Sequence, residues 1–593
     1  MSKKQLIPVG VALLLIVGLI VFGVSTGMLS KYSYSNEEMD MNDYFQIFRP
    51  DALPLILEDE VIEEQGLVQE EKHYLPLGLV QEKLNSRFYY DKAEEQLLYT
   101  TPTQFYQIPL GGAAYQVDGE TKEFDHTIAI KSEEEVYLSV EYLKQFANFS
   151  YEVFYEPERL QLYLEDRTVN TATIKKDTNL RYQGGVKSEI LEELYQDEAV
   201  TVLETMEKWS KVKSSDSVIG YVENKYLVGE GTVSRGVEKT FEEPEYTSIH
   251  KEEKINLAWH QVTTKEANSG VTRLLDASKG INVISPTWFY LQSDEGDIAS
   301  LASADYVADM HGRGIEVWGL VDNFTSKEFS MEKVLGSTAA RRNLIGQLIG
   351  QAQEYDLDGI NVDFESIDQE CGEDYIQFLR ELSIECRKNE LVLSVDNYVP
   401  TSFTAHYNRK EQGIIVDYVI IMGYDEHYAG SPEAGSVASI DYVQQGIIDT
   451  IEVVPEEKVI NGIPFYTRIW DVTGDVTSEA VGMAKAKDFL EQNGVEATWD
   501  DETCQNVAKF TADGRKYVIW MEDDQSIRAK LSVMKQYQLA GVAEWKLGFE
   551  TPDIWDLILD YLQGTDLSGQ AETGSVSANT TEGTVSANET DRQ

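Results

Sequence analysis

The stretch LDGINVDFES, residues 357–366, holds the side chains with the clearest capacity for chemistry. Asn361, Asp363 and Glu365 alternate with three apolar residues, and alternate side chains of a β-strand share a face. One face of such a strand would carry these polar groups while the other packs in a core. A carboxyl group crowded by another carboxylate has a raised pKa, which a general acid needs near neutral pH. The stretch therefore predicts acid–base catalysis.

The residues around this stretch alternate between strand and helix patterns, which position it. Eight strand-like segments begin near residues 255, 281, 315, 359, 391, 418, 458 and 541, and amphipathic helical stretches separate most of them. Such βα units predict a closed parallel (β/α)8 TIM barrel over residues 250–563. Functional groups of this fold gather where the strands end, and Glu365 would close the fourth strand. Between Arg468 and Ser526 we expect a small α+β insertion that acts as a lid or wall.

Two further regions precede the barrel. Residues 50–166 contain a faint duplication, in which HYLPLGLVQEKLNSRFYYDKAEEQLLYTT is similar to VYLSVEYLKQFANFSYEVFYEPERLQLYLE. Each copy predicts a strand, a helix and two strands around a charged turn. Residues 170–230 predict a small all-β barrel of short strands, and a charged linker follows.

The ends of the chain have their own patterns. Lys3 and Lys4 precede an apolar run over residues 6–29, which is long enough to cross a bilayer. Because the run is long and VSTGMLS is a poor cleavage site, residues 1–30 predict an uncleaved membrane anchor with the rest of the chain outside the cell. The polar residues 30–48 then predict a juxtamembrane spacer. Residues 564–593 repeat VSAN among Ser, Thr, Gly and Glu, which predicts a disordered tail.

Charge and cysteine content exclude several classes of protein. The 103 acidic and 50 basic residues give a net charge of −53, which argues against nucleic acid or anionic lipid as a partner. Cys371, Cys386 and Cys504 have no metal-ligand spacing, and although Cys371 and Cys386 could pair, so few cysteines argue against a disulfide scaffold. The seven His residues form no HExxH motif, so the sequence predicts no metal site.

Four motifs in order resemble glycoside hydrolase family 18, the chitinase-like barrels. DGINVDFE is similar to the DGxDxDxE signature on the family's fourth strand, and IMGYDEH to its sixth-strand MxYD element, which gives Met422, Tyr424 and Asp425. NGIPFYTR resembles the seventh strand, and VAEWKLG the eighth, which ends at Trp545 where the family has an aromatic floor. Asn361 departs from the family Asp, and in this the chain is similar to the spore-cortex and wall-associated branch.

The resemblance implies a substrate-assisted mechanism that needs no metal or organic cofactor. Glu365 would protonate the leaving oxygen and later activate water, while the substrate's 2-acetamido group attacks to give an oxazolinium ion. Asp363 would orient that group and Tyr424 would hydrogen-bond its carbonyl. Asn361, Met422, Asp425 and Trp545 would line the substrate site. Met422 also fits core packing, Trp545 fits packing alone, and Asp425 fits either a structural partner of Asp363 or a substrate contact.

The upstream regions carry looser resemblances. The duplicated region is similar to the module named after the N-terminal domain of copper amine oxidases, but it has no metal-ligand set, so we expect a spacer or wall-contacting module without copper. Residues 170–230, with WSKVK and GYV, resemble a bacterial SH3-type barrel. That resemblance implies either binding of wall peptides or a passive spacer.

Three functions remain open at this point. The first is a membrane-anchored extracellular glycosidase that cleaves β-1,4 bonds after N-acetylglucosamine in peptidoglycan. The second is a chitinase or chitooligosaccharide hydrolase. The third is a non-catalytic carbohydrate-binding barrel, which the presence of Glu365 disfavours. Endo or exo cleavage and the oligomeric state are not decided by the sequence.

Overall fold

In the computed structural model, which describes residues 16–17, 33–565 and 567, the chain divides into two units, Met1–Glu245 and Tyr246–Gln593. The predicted membrane anchor, apart from residues 16–17, and almost all of the predicted tail lie outside the described residues. Among the residues that are described, no helix combines the length and the apolar character needed to span a bilayer.

Eight parallel strands of the second unit close into a ring. The ring is closed because the eighth strand pairs with both the first and the seventh. This confirms the predicted (β/α)8 barrel, and every strand lies within a segment that the sequence assigned to one. The strands are β1 Ile255–His260, β2 Val283–Leu291, β3 Glu316–Asp322, β4 Gly359–Asp363, β5 Val392–Tyr398, β6 Tyr418–Met422, β7 Val459–Pro464 and β8 Gly541–Trp545.

One principal helix follows each strand. They are α1 Val271–Leu275, α2 Ala304–Gly312, α3 Thr338–Tyr355, α4 Gly372–Lys388, α5 Arg409–Ile415, α6 Ile440–Ile451, α7 Asp524–Gln536 and α8 Ile554–Leu562. A further helix, Met331–Gly336, precedes α3, and the short strand Ile298–Ser300 pairs with β2. Side-chain caps define where helices begin: Ser337 accepts a hydrogen bond from the backbone of Ala340, and Asp523 forms a capping box with Ser526.

Buried ion pairs join the helices that cover the acidic side of the barrel. Arg341 of α3 is fully buried and lies 3.0 Å from Glu381 of α4, and Arg380 of α4 lies 2.9 Å from Glu411 of α5. Removing one partner of a buried pair leaves an uncompensated charge, at a cost of about 3–5 kcal/mol. These pairs therefore fix the helix layer behind β4 and β5. Cys371, beside this layer, and Cys386 within it are free thiols and form no disulfide.

The segment between β7 and β8 confirms the predicted α+β insertion. Its helix, Met483–Gln492, packs on an antiparallel sheet through a small apolar core of its own. Trp470 is buried, and its ring nitrogen donates to the backbone oxygen of Gly435 in the loop after β6, 2.9 Å away. The insertion thereby packs at the end of the barrel where the strands finish. Its strands are Tyr466–Asp471, Thr477–Gly482, Thr498–Asp500, Gln505–Ala512 and Arg515–Trp520.

In the first unit, the two copies of the duplicated region have the same order of elements. The first copy runs through Lys72–Pro76, Leu77–Lys83, Phe88–Asp91 and Gln96–Thr100, and the second through Glu135–Ser139, Val140–Leu143, Ser150–Phe154 and Arg159–Tyr163. Both helices pack into one apolar core. The remaining strands of this region are Ala52–Leu57, Glu60–Gln69, Phe105–Pro109, Ala114–Val117, Glu120–Glu123 and Ala129–Ser132.

An antiparallel sheet of seven strands follows in the region expected to be a small all-β barrel. It encloses its own apolar core, in which Leu180, Val212 and Val222 are fully buried. Its strands are Arg167–Ile174, Thr178–Arg181, Ile190–Leu194, Ala199–Thr205, Trp209–Lys213, Ile219–Glu223 and Leu227–Arg235.

The segment predicted to be a juxtamembrane spacer is instead packed into this unit from residue 33 onward. The backbone of Met39 donates to Ile190 in the all-β barrel, 2.8 Å away. After a short helix, Met41–Tyr44, the Tyr44 hydroxyl donates to the Ile219 backbone oxygen at 2.7 Å. Phe45 is 2% exposed and packs against Ile56 and Ile219. The spacer interpretation is wrong because Phe45 is buried against this unit in spite of the acidic residues around it.

Phe45 offers a direct test of this packing. We expect Phe45→Ala to lower the free energy of unfolding of the first unit by about 3–5 kcal/mol, because a large buried side chain leaves a cavity. Hydrogen exchange of peptides covering residues 41–57 and 217–223, followed in increasing denaturant, measures the change. Phe48→Ala is the matched control, since Phe48 is 84% exposed. Equal protection in both variants would contradict a packed segment.

Candidate active site

Asn361 lies at the centre of a buried hydrogen-bond network inside the barrel. Its side-chain oxygen accepts from the ring nitrogen of Trp259 at 3.0 Å and from the hydroxyl of Ser285 at 2.9 Å. Its side-chain nitrogen donates to a carboxylate oxygen of Asp396 at 2.8 Å. A tryptophan ring nitrogen can only donate, which fixes the orientation of the amide. Asn361 thus ties β4 to β1, β2 and β5 and is enclosed by protein.

Asp363, two residues further along β4, is also buried and faces the same interior. Its Oδ1 atom has no hydrogen-bond partner among the described residues. Burial, followed by the carboxylates of Asp396, Glu365 and Asp322, raises the pKa of Asp363 well above its usual value. Asp322 ends β3 directly opposite Asp363 in the strand pairing. An unpartnered acceptor in this position suits an N–H group of a bound molecule.

Glu365 follows the end of β4 at the mouth of the barrel. The side chain of Asn323 holds the backbone of Glu365 through two hydrogen bonds of 2.8 Å. It accepts from the Glu365 N–H and donates to the Glu365 carbonyl oxygen. The Glu365 carboxylate accepts a hydrogen bond from the Tyr398 hydroxyl at 2.6 Å. Burial raises the pKa of Glu365, the Tyr398 bond opposes that rise, and Asp425 and Asp322 add to it. The net rise suits a proton donor near neutral pH.

The predicted residues after β6 reach the same mouth. Met422 and Tyr424 are both buried, and the Tyr424 ring meets Trp259 edge to face with centroids 6.5 Å apart. Asp425 accepts a hydrogen bond from the hydroxyl of Tyr466, which starts the first strand of the insertion. This hydrogen bond to Tyr466 is a contact that the sequence did not predict, and the two roles expected for Asp425, a partner of Asp363 or a substrate contact, both stay predictions.

Trp545 ends β8 and is half-buried at the mouth. Its ring packs edge to face against Trp259 at 6.2 Å. Trp259 is itself 1% exposed, so it packs below the mouth and is inaccessible to a ligand. Trp288 and Trp318 are also buried and inaccessible. Six of the seven predicted site residues thus lie at or just after the ends of β4, β6 and β8, whereas Asn361 lies deeper on β4, is fully buried and does not line the mouth.

Sequence reasoning missed two polar residues on β5. Asp396 and Tyr398 face the interior, where they bind the side chains of Asn361 and Glu365. Burial raises the pKa of Asp396 to about 8, with the hydrogen bond from Asn361 acting in the opposite direction. The signal was present in LVLSVDNYVP, where Ser394, Asp396 and Tyr398 occupy alternate positions of the strand, as the polar residues of β4 do.

Two parts of this chain match known protein families. Residues 321–550 match the family model of glycosyl hydrolases family 18, and residues 176–228 match that of the bacterial SH3 domain. The uncharacterized glycosylase YvbX of Bacillus subtilis is 25% identical over 292 residues, which cover 47% of this chain and 84% of that protein. The cortical fragment-lytic enzyme of the same organism is 28% identical over 254 residues, covering 41% and 59% respectively. The chain thus spans less than two thirds of the latter.

Solved structures that are similar to part of this chain include those of a spore cortex-lytic enzyme and a chitinase. The Bacillus cereus enzyme SleL is 24% identical with a TM-score of 0.48, over 54% of this chain and 76% of that one. A chitinase from Chromobacterium violaceum is 24% identical with a TM-score of 0.47, over 52% and 99%. The family matches show that this chain carries a bacterial SH3 domain, followed in sequence by a family 18 domain, and that it is a glycoside hydrolase.

Proposed function

We propose that this protein is a membrane-anchored extracellular hydrolase that cleaves β-1,4 bonds after N-acetylglucosamine in peptidoglycan, with retention of configuration. The observation that carries the proposal is the pairing of Glu365, an acid with a raised pKa, with the unpartnered buried oxygen of Asp363. Together they provide one proton donor and one acceptor for a substrate N–H group. A substrate-assisted glycosidase needs this combination, because the substrate supplies the nucleophile.

In the first step, Glu365 gives its proton to the glycosidic oxygen as the bond to the anomeric carbon breaks. The carbonyl oxygen of the 2-acetamido group forms a new bond to that carbon and gives an oxazolinium ion. Asp363 accepts the acetamido N–H, which orients the carbonyl and offsets the developing positive charge. The hydroxyl of Tyr424, within the same mouth, donates to the acetamido carbonyl oxygen and holds it in place for attack.

In the second step, the Glu365 carboxylate takes a proton from water. The water oxygen bonds to the anomeric carbon, the oxazolinium ring opens and the acetamido group is restored. Glu365 is then protonated again and ready for another cycle. Because the same carbon undergoes two displacements, its configuration is retained. The side chains described here perform both proton transfers without any other group.

A groove of about 380 Å³ in the SH3 domain supports the proposal that the substrate is in the cell wall. Tyr34, Trp209 and Tyr226 line it together with Glu223. The ammonium group of Lys225 lies 5.4 Å from the ring centroid of Tyr34 and 4.9 Å from that of Tyr226. It also lies 2.6 Å from the Glu223 carboxylate. Aromatic faces beside a carboxylate suit the amino groups of a wall peptide. The names of the cortex-lytic relatives point in the same direction.

The position at the membrane rests on the sequence of residues 6–29. Only residues 30–32 separate this apolar run from the segment that packs onto the SH3 domain. The proposal therefore places the SH3 domain close to the outer face of the membrane, under the wall.

The first prediction concerns the proton donor. We expect Glu365→Gln to lower turnover by about 10²–10⁴-fold, because a glutamine cannot donate a proton to the leaving oxygen. The full chain is incubated with purified peptidoglycan and with N-acetylglucosamine oligomers, and the products are identified by mass spectrometry. The wild type should release muropeptides with N-acetylglucosamine at the reducing end.

Glu370→Gln is the matched control, since Glu370 is exposed and lies in the same loop. It should keep wild-type activity. Cleavage of the oligomers alone would replace peptidoglycan by chitin fragments as the substrate. Binding of either polymer without turnover by the wild type would make the barrel a carbohydrate-binding domain.

The second prediction concerns Tyr398. Its hydrogen bond stabilises the charged form of Glu365 and so lowers the pKa of that carboxyl. Tyr398→Phe removes the bond, so the pKa should rise and Glu365 should stay protonated to higher pH. We therefore expect the alkaline limb of the kcat/KM profile to move to higher pH. Tyr355→Phe, at the opposite end of the barrel, should leave the profile unchanged, and a shift toward lower pH for Tyr398→Phe would contradict this role.

A further inference from the structure

The family signature has an aspartate where this chain has Asn361, so β4 lacks one carboxylate. The buried network around Asn361 shows what replaces it. The amide donates to Asp396 on the neighbouring strand, and its oxygen is fully used by Trp259 and Ser285. A carboxylate at position 361 would instead repel Asp396 at this distance. Asn361 and Asp396 are therefore complementary.

Asp396 is placed to act on Asp363. The strand pairing joins Asn361 to Ser394 and Val362 to Val395, so Asp363 and Asp396 are the next residues on adjacent parallel strands. Both face the barrel interior, because Asp396 reaches the buried amide of Asn361. After burial itself, Asp396 is the largest contribution to the raised pKa of Asp363. The two carboxyl groups thus form a buried pair that favours holding a proton.

We propose that Asp396 supplies, from the fifth strand, the partner carboxylate that family 18 barrels place on the fourth strand, and that it acts as a positioning residue for Asp363. The inference rests on the proposed function. In the free enzyme the pair carries a proton that allows Asp363 to remain buried. When the acetamido N–H binds, the proton passes from Asp363 to Asp396, and the Asp363 anion accepts the N–H. No other proton donor or acceptor is required.

Other titratable groups surround the pair and enter its pH dependence. The groups that act electrostatically on Asp363 or Asp396, or are affected by their charge, are Asp322 at the end of β3, Glu365 after β4, Tyr375 of α4, Tyr407 before α5 and Tyr424 after β6. All of them remain in the variants below, so differences between variants report Asp396.

An exchange of the two side chains tests the inference. Asp396→Asn can still accept the hydrogen bond from Asn361, so the fold is retained while the carboxylate is lost. On N-acetylglucosamine oligomers we expect this variant to lower kcat by about 10–100-fold with little change in KM, and to move the acidic limb of the pH profile to lower pH. The double variant Asn361→Asp/Asp396→Asn returns a carboxylate to β4 and should recover most of the lost kcat.

Glu544→Gln is the matched control for the loss of a buried carboxyl group. Glu544 lies on β8, its two oxygens have no partner among the described residues, and burial raises its pKa strongly. This variant should keep the wild-type pH profile. Wild-type kinetics for Asp396→Asn, or a double variant no more active than the single one, would overturn the inference.

A readout without turnover separates this inference from the proposed function. Infrared difference spectra between the wild type and Asp396→Asn, recorded across pH, should show a protonated carboxyl group that titrates near neutral pH, and the double variant should restore that band. An inactive wild type with this band would contradict the proposed function and leave the carboxyl pair supported. Absence of the band would overturn the pair whatever the activity.

Discussion

The hydrogen bond between Asn361 and Asp396 allows several carboxyl groups to lie close together inside the barrel. Asp322, Asp363, Glu365 and Asp396 come from three adjacent strands, and burial raises the pKa of each. Four ionised carboxylates in such a space would repel one another strongly, so some must stay protonated. A neutral amide at the centre of the group permits this, since it donates to one carboxylate and binds the tryptophan and serine of β1 and β2 on its other side.

The remainder of the barrel keeps that group in place. Asn323 fixes the backbone of Glu365, and ion pairs between α3, α4 and α5 hold the helices behind β4 and β5. Tyr466 of the insertion binds Asp425 and so connects the loop after β6 to the insertion between β7 and β8. A catalytic carboxyl group needs both a shifted pKa and a fixed position, and here the same contacts provide the two.

Local patterns in the sequence were sufficient for the barrel and for part of the site. Period-two alternation in GINVDFE placed Asn361, Asp363 and Glu365 on one face, and the structure has them there. The segment LVLSVDNYVP predicted a strand but no site residue, because the importance of Asp396 depends on its contact with a residue 35 positions earlier. Residues 33–47 show the opposite case: their acidic composition is typical of an exposed linker, and only tertiary contacts reveal that Tyr44 is half-buried and Phe45 is buried.

Hydrolysis by this barrel is proposed to proceed by two displacements at the anomeric carbon, the first by the substrate's own acetamido group, rather than by direct attack of water. The configuration of the first product tests it most directly. Proton NMR during the first minutes of hydrolysis of an N-acetylglucosamine oligomer distinguishes the two anomers of the new reducing end before they equilibrate. Two successive displacements predict an initial excess of the β-anomer. An initial excess of the α-anomer would require a single displacement by water and would contradict the account.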